Sequence, residues 1–204
     1  MKRENAQERP EEFSPPAFWS ALTGSDLELL KIQRRGRKTD AAEVLWVARR
    51  CSHGAPQVIV SSPLSRDGSP FPTIFWLTCP YLNRRCGGLE SAQKISELEK
   101  IFADAPEAAR AMHHAYAALR MSLLTPQQRE AAQKKGNAIL SVLTDTGVGG
   151  INWKEALCGA KCLHLHTATW LGTGEHPAKA WLAEAVGPLE CERGECMRAH
   201  AETA

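Results

Sequence analysis

EVLWVARRCSHGAPQVIVSSPLSRDGSPFPTIFWLTCP, residues 43–80, decides the fold. It holds three β-rich runs, Glu43–Ala48, Gln57–Ser61 and Thr73–Leu77, separated by SHGAP and PLSRDGSPFP. Val, Ile, Trp and Phe dominate these runs, residue types that fit a pleated, half-buried surface. The Arg66-Asp67-Gly68 turn stands between the second and third, as in a hairpin loop. The reading is a small three-stranded antiparallel sheet over residues 44–78.

Outward from this sheet the pattern is helical. Ser25 with Glu28 three residues later is a capping-box pattern, and Leu27, Leu29, Leu30 and Ile32 supply a short helix that stops near Gly36. Lys31, Arg34, Arg35, Arg37 and Lys38 fall on its last turn and beyond, where cations offset the helix dipole. Residues 1–24 carry Pro10, Pro15 and Pro16 and read as a flexible arm, its end pinned by Phe13, Phe18 and Trp19. Beyond Cys79-Pro80, helices are expected over Leu89–Ile101, from Asp104-Ala-Pro-Glu107 to Met121, and from Thr125-Pro126 to Lys134, Lys135 and Gly136. The TGVGG turn opens the last third, and Asn152 then caps a helix with the stripe Trp153, Leu157, Ala160, Ala168 and Leu171, stopped by Gly172 and Gly174. His176-Pro177 starts the last helix, which Gly187-Pro188 ends. The fold class is α+β: one domain over residues 25–190, with the sheet packed against several helices and a Cys-containing tail over 191–204.

With 43% hydrophobic and 24% charged residues in 204, the chain has the composition of a folded domain. Lys and Arg number 25 against 23 Asp and Glu, so a net charge of +2 makes no whole-protein case for nucleic acid or an anionic membrane. No run reaches the roughly 18 apolar residues of a membrane span, and MKRENAQERPEEFSPP lacks the apolar centre of a signal peptide. A cytoplasmic protein is expected.

Seven cysteines, at 51, 79, 86, 158, 162, 191 and 196, are many for a reducing compartment, where excess thiols point to metal ligation or thiol chemistry. The alternative for each is a small buried hydrophobe. Cys51-Ser-His53 lies in a turn between strands, and Cys79-Pro80 at the exit of the third. Lys161-Cys162-Leu163-His164-Leu165-His166 begins the last third's reactive stretch. On a continuous helix over 153–171, Cys158, Cys162 and His166 share one stripe. If Gly159 delays the helix, Cys162 instead sits at its N-terminal turn. There is no CxxC pair, so any metal must be gathered from separate elements. A second reading is nucleophilic, with Cys162 or Cys79 activated by His164 or His166 near Lys161. A third uses Arg49, Arg50, Arg66, Arg84 and Arg85 to meet a phosphate or RNA backbone, against the simpler reading of a solvated basic face.

RRCSHGAPQVIVSSPLSRDGSPFPTIFWLTCPYLNRRCGGLE, joined at long range to GAKCLHLHTATWLGTGEHP, resembles the bacterial family called domain of unknown function 501. The family's pattern is a Cys-containing turn with Gly-x-Pro, a DGxPFPT segment running into LTCP, a following Leu-Glu, and a KCLH helix ending in a Gly-rich turn. The resemblance spans roughly residues 26–191 and implies no defined activity. It matches Cys51, Cys79, Cys162 and Cys191 to family cysteines and His164 to the KCLH histidine; Gly68, Pro70, Phe71, Pro72 and Thr73 fall on DGxPFPT. His176 stands where the family has Asn, and Cys86, Cys158 and Cys196 have no matched position. The leading expectation is therefore a Cys-rich site for zinc or an iron–sulfur cluster, with Cys51, Cys79, Cys162 and Cys191 as ligands and His164 supporting or substituting, and with Cys79 close to Cys162. The alternatives are a metal-free thiol enzyme and an adaptor that binds phosphate or RNA through the arginines.

Overall fold

A computed structural model of the chain describes residues 9–34, 43–154, 159–194 and 196–197. It has four strands in the order β1 (Ser20–Ala21), β2 (Val44–Arg50), β3 (Pro56–Ser61), β4 (Phe75–Leu77), each antiparallel to its neighbour. The three expected strands are present. The fourth, β1, corrects the expectation of three: two residues pair with Val47 and Trp46, too short a run for any alternation to reveal. Its position is set by the aromatic residues before it. Trp19 is buried with its ring 5.7 Å from Phe75 and its Nε1 donating to Gly172 O at 2.8 Å, and Phe13 packs on both Trp19 and Trp46. Phe18 stays exposed.

The first helix, α1 (Gly24–Gln33), is capped two residues earlier than expected, because Thr23 and Asp26 form the capping box in place of Ser25 and Glu28. Asp26 is buried and held by Arg50 at 2.5 Å, which ties α1 to the end of β2. Leu30 packs with Val44 and Ile59 on one face of the sheet. Against the other face lies α7 (Leu163–Thr173), in which eight of eleven residues are buried. A helix buried nearly all round is a core helix. The stretch 155–158, on which part of the expected longer helix falls, lies outside the described residues, and Cys162 is the residue that precedes the first turn.

Among the described residues, the remaining α-helices are α2 (Pro80–Ser91), α3 (Ile95–Asp104), α4 (Pro106–Ser122), α5 (Pro126–Lys135), α6 (Asn137–Thr144) and α8 (Lys179–Val186), with a single 3-10 turn at Val148–Gly150. The expected helix over 89–101 is two: Gln93 takes a φ of 58° and breaks it, while Pro80 fixes the start of α2 nine residues earlier than expected. Gly136, with a φ of 107°, ends α5 as expected, but the chain turns at once into α6, whose Leu143 is buried.

Three neutral histidines complete the helical core around Phe102 of α3: His113 of α4, His166 of α7 and His176 before α8, with ring centroids 6.4, 5.3 and 5.9 Å from it. Val148 N donates to His113 Nδ1 at 3.1 Å and Ala178 N to His176 Nδ1 at 3.0 Å, so both rings carry their proton on Nε2. His176 then donates to His166 Nδ1 at 3.1 Å. The Nε2–H groups of His113 and His166 are buried with no hydrogen-bond partner among the described residues. Burial disfavours the charged form and pushes the pKa of His113 down to about 4, that of His176 to about 3 and that of His166 far below its ordinary value.

Two outcomes follow. In Gly172→Ala the new methyl would meet the Phe75 ring at 2.4 Å, and overpacking of this kind costs about 1–3 kcal/mol; urea unfolding is the measurement. The histidines make the native state acid-labile. Their stabilisation is complete above pH 6.5, where the unfolded chain is also neutral, and is lost as pH falls toward 4, since only the unfolded state takes up protons there. Unfolding free energy measured from pH 7.5 to 4.5 therefore falls steeply, and in His176→Leu the slope loses about one proton.

Candidate active site

The chemistry of the site begins with a helix end that needs a partner. The first backbone N–H groups of α7 have no acceptor within the helix, and the side chain of Cys162, which precedes it, makes no capping bond. Glu90, in the last turn of α2, fills the gap: its Oε1 accepts from Leu163 N at 2.6 Å and from His164 N at 3.4 Å. The negative charge also suits the positive end of the helix dipole. The same oxygen lies 2.9 Å from His164 Nδ1.

On its far side, His164 Nε2 lies 3.1 Å from the backbone carbonyl of Asn83, in the first turn of α2. Both neighbours of the ring are acceptors, so both nitrogens must carry protons and the ring is an imidazolium. The adjacent Cys162 sulfur and the Glu90 carboxylate favour that cation, and although burial opposes them the pKa is lifted to about 9. The Cys162 sulfur, a His164 nitrogen and a Glu90 carboxylate oxygen lie within 4.8 Å of one another. Among the described residues, no other three potential metal-ligating side chains come so close.

Cys162 and His164 of this group line a cleft of about 850 Å³, within the size range of small-molecule sites. One wall is the expected DGxPFPT loop through Phe71, Pro72 and Thr73 together with all of β4; another is Asn83 and Arg84 of α2; a third is Gly149 with Lys161, Cys162, His164 and Leu165. Gly149 is required there: its φ is 66°, and a Cβ would meet Leu165 at 2.5 Å. Lys161 Nζ donates to Gly149 O at 3.2 Å, closing the wall below the thiol. The two sequence stretches singled out above, far apart in the chain, thus face the same space.

Of the expected metal ligands, Cys162 and His164 stand together in this cleft. Cys79 sits before the first turn of α2, at the opposite end of that helix from Glu90, about 16 Å along the axis. It is buried, which pushes its thiol up to about 11, and its thiol neighbours are Cys196 and Cys191. Cys51 is half-buried and packs with Leu29, Ala55 and Cys196, while Cys191 O lies 2.9 Å from His53 Nε2. The described thiols therefore form two groups, and Cys196, with no family position, belongs to the Cys79 group. Cys86 is a buried hydrophobe lying 3.5 Å from the Thr167 hydroxyl, its thiol pushed up to about 11 by burial. His166 is in the histidine core, away from Cys162. Arg84 lines the cleft, whereas Arg85 donates to Val186 O at 2.6 Å and serves packing. Cys158 lies outside the described residues. Glu90 and Asn83 are the site residues that reasoning from sequence missed; the Leu-Glu after LTCP was the one signal for Glu90.

A family model described as "Protein of unknown function (DUF501)" matches residues 47–184. That span takes in the Cys162 group and the cleft walls except Gln33 and Arg34 of the α1 end. No curated protein and no solved structure matches the chain.

The imidazolium gives a direct expectation. In an NMR titration, the His164 ring changes protonation near pH 9, and Glu90→Gln moves the midpoint down. Because the folded pKa is raised, the stabilisation is complete below pH 6.5 and fades as pH rises through about 9. A midpoint at or below 6.5 in the native chain would remove the ion pair from the site.

Proposed function

The chain belongs to the DUF501 family of proteins of unknown function, and from that premise we propose that it is a thiol enzyme, with Cys162 as nucleophile, His164 as proton donor and Glu90 as the group that orients the ring. The observation that carries this reading is the pair of acceptors on His164: Glu90 on one nitrogen and a backbone carbonyl on the other. They hold a cation beside a half-buried sulfur at a helix N-terminus, the surroundings in which cysteine nucleophiles work. The supporting geometry is a cysteine, an imidazolium and a third group that orients the ring, arranged beside an open cleft.

The reaction class is acyl transfer. With the proton of the thiol held on His164, Cys162 Sγ attacks a carbonyl carbon, a C–S bond forms, and the bond to the leaving nitrogen or oxygen breaks as His164 releases the Asn83 carbonyl and supplies the proton the leaving group departs with. Water then cleaves the thioester, releases the acid and restores the proton to His164. Arg34, Arg84 and Lys161 line the cleft with positive charge, which favours a substrate carrying a carboxylate or phosphate.

A metal reading has one observation in its favour: three ligand-type atoms within 4.8 Å, enough for zinc with an open fourth position. Binding there requires His164 to lose a proton and to release either Glu90 or Asn83. An iron–sulfur cluster takes three or four thiolates, and Cys162 is the thiol of this group. The wider set with Cys51, Cys79 and Cys191 would require those elements to move toward Cys162.

Timed alkylation with iodoacetamide at pH 7, read by peptide mapping, separates the two. On the thiol reading Cys162 labels at least ten times faster than buried Cys79 and Cys86, and Glu90→Gln or His164→Asn slows it about tenfold. Protein purified anaerobically with one equivalent of zinc, lost in Cys162→Ser, would replace the thiol reading with the metal one.

A further inference from the structure

The cleft carries a second feature that the thiol does not use. Phe71 of the DGxPFPT loop is 43% exposed, and among the described residues Phe18 is the other large apolar side chain so open to solvent. A single exposed ring is ordinary. Phe71 differs because it is stacked on Trp76 of β4, with ring centroids 5.5 Å apart and planes inclined by 30°, and because both rings line the cleft.

The exposed ring is also held in place. Pro70 and Pro72 restrict the backbone on either side of it. Phe71 N donates to Pro63 O at 2.7 Å, Leu64 and Pro70 form an antiparallel bridge, and Arg120 donates to Pro72 O at 2.7 Å. An aromatic surface fixed in this way meets a flat ligand without the cost of ordering a loop.

Trp76 packs on the α1 side of the sheet with Leu30, Val44 and Ile59, whereas Cys162 and His164 belong to the start of α7, on the other side. Gln33 and Arg34, at the end of α1, line the cleft from the α1 side. The cleft therefore joins an aromatic end to the thiol end. Arg34, Arg84 and Lys161 line it, and among the described residues no Asp or Glu does. The lining thus favours an anion and offers a flat ring a face to stack on. A nucleoside phosphate uses both: every base has a π-face that stacks on phenylalanine, and a phosphate pairs with arginine. An aliphatic acid would use the charge alone and a neutral ring the stacking alone.

We infer that the cleft binds a nucleoside phosphate, its base stacked on Phe71 over Trp76 and its phosphate among Arg34, Arg84 and Lys161. This deepens the thiol reading, on which it rests for the reaction, by giving the substrate of Cys162 a nucleotide as its recognised part. The binding itself needs no bond to sulfur. The nucleotide is either free or at the end of an RNA strand.

Equilibrium dialysis of the intact protein against AMP, ribose 5-phosphate and adenosine is the test. AMP is expected to bind at least tenfold more tightly than either fragment. Phe71→Ala, at an exposed position, weakens AMP about tenfold and leaves ribose 5-phosphate unchanged. A triadenylate with a 5′-phosphate separates the two sources: binding tenfold tighter than AMP assigns the strand end, equal or weaker binding assigns the free nucleotide, and the inference holds in both cases. It is overturned if AMP binds no better than ribose 5-phosphate, if Phe71→Ala leaves AMP binding unchanged, or if AMP shows no saturation below about 1 mM. Iodoacetamide reports on the thiol separately. Rapid labelling of Cys162 without AMP binding removes the nucleotide and leaves the thiol centre, whereas AMP binding that depends on Phe71 with Cys162 inert keeps the nucleotide site and removes the thiol enzyme.

Discussion

One carboxylate oxygen, Oε1 of Glu90, holds the site together by accepting from two backbone N–H groups of α7 and from the His164 ring. Three donors converging on one acceptor fix the angle and height at which α7 meets α2. The arrangement serves folding, since it satisfies orphan donors at a half-buried helix end. It serves the site as well, because the acceptor that caps the helix also keeps the ring protonated and turned toward Asn83. A neutral side chain at position 90 would still accept a hydrogen bond but would supply no charge to offset the imidazolium, so cap and ion pair are one device.

Much of the fold was legible because its signals are local. Strands β2 to β4 announced themselves in dense β-branched and aromatic runs; the Thr125-Pro126 start of α5 and the Gly136 stop are caps that read the same in sequence and in space. Elements that depend on distant partners were not legible. Nothing in Ser20–Ala21 marks a strand, since Trp19 and its bond to Gly172, 153 residues away, put it there. The break at Gln93 was equally hidden, because that residue type carries no turn signal and its positive φ is imposed by the helices on either side.

At the site, Cys162 and His164 were legible as a pair, and the placement of Cys162 just before a helix was one of two stated alternatives. The wider metal set came from residue type and from positions matched by the family resemblance, neither of which carries spatial information. Thiols attract attention in sequence for what they can ligate, yet Cys79 and Cys86 are sealed by packing, which raises their thiols to about 11 and makes them small apolar side chains. Glu90 escaped notice for the opposite reason: an acidic residue near a helix end is ordinary on a surface, and only the approach of α7 gives it three donors.

The cleft walls depend on a second buried charge, Arg120 of α4, fully shielded from solvent. Its guanidinium has no carboxylate partner among the described residues and is instead surrounded by carbonyls, donating to Leu143 O at 2.9 Å, Pro72 O at 2.7 Å, Gly147 O at 3.4 Å and Thr146 O. Burial lowers its pKa to about 10, which still leaves it charged at neutral pH. A carbonyl cage has a structural consequence that a salt bridge lacks. The five fixed donors of arginine select backbone positions, here on the Pro72 loop and on the segment running into Gly149, and these two loops form facing parts of the cleft. Lysine has a single nitrogen and could not hold the four carbonyls of Pro72, Leu143, Thr146 and Gly147 at once. The wall beside β4 is thus set by a cation at the helical core, before any ligand enters, and Cys162 faces a cavity whose shape is already fixed.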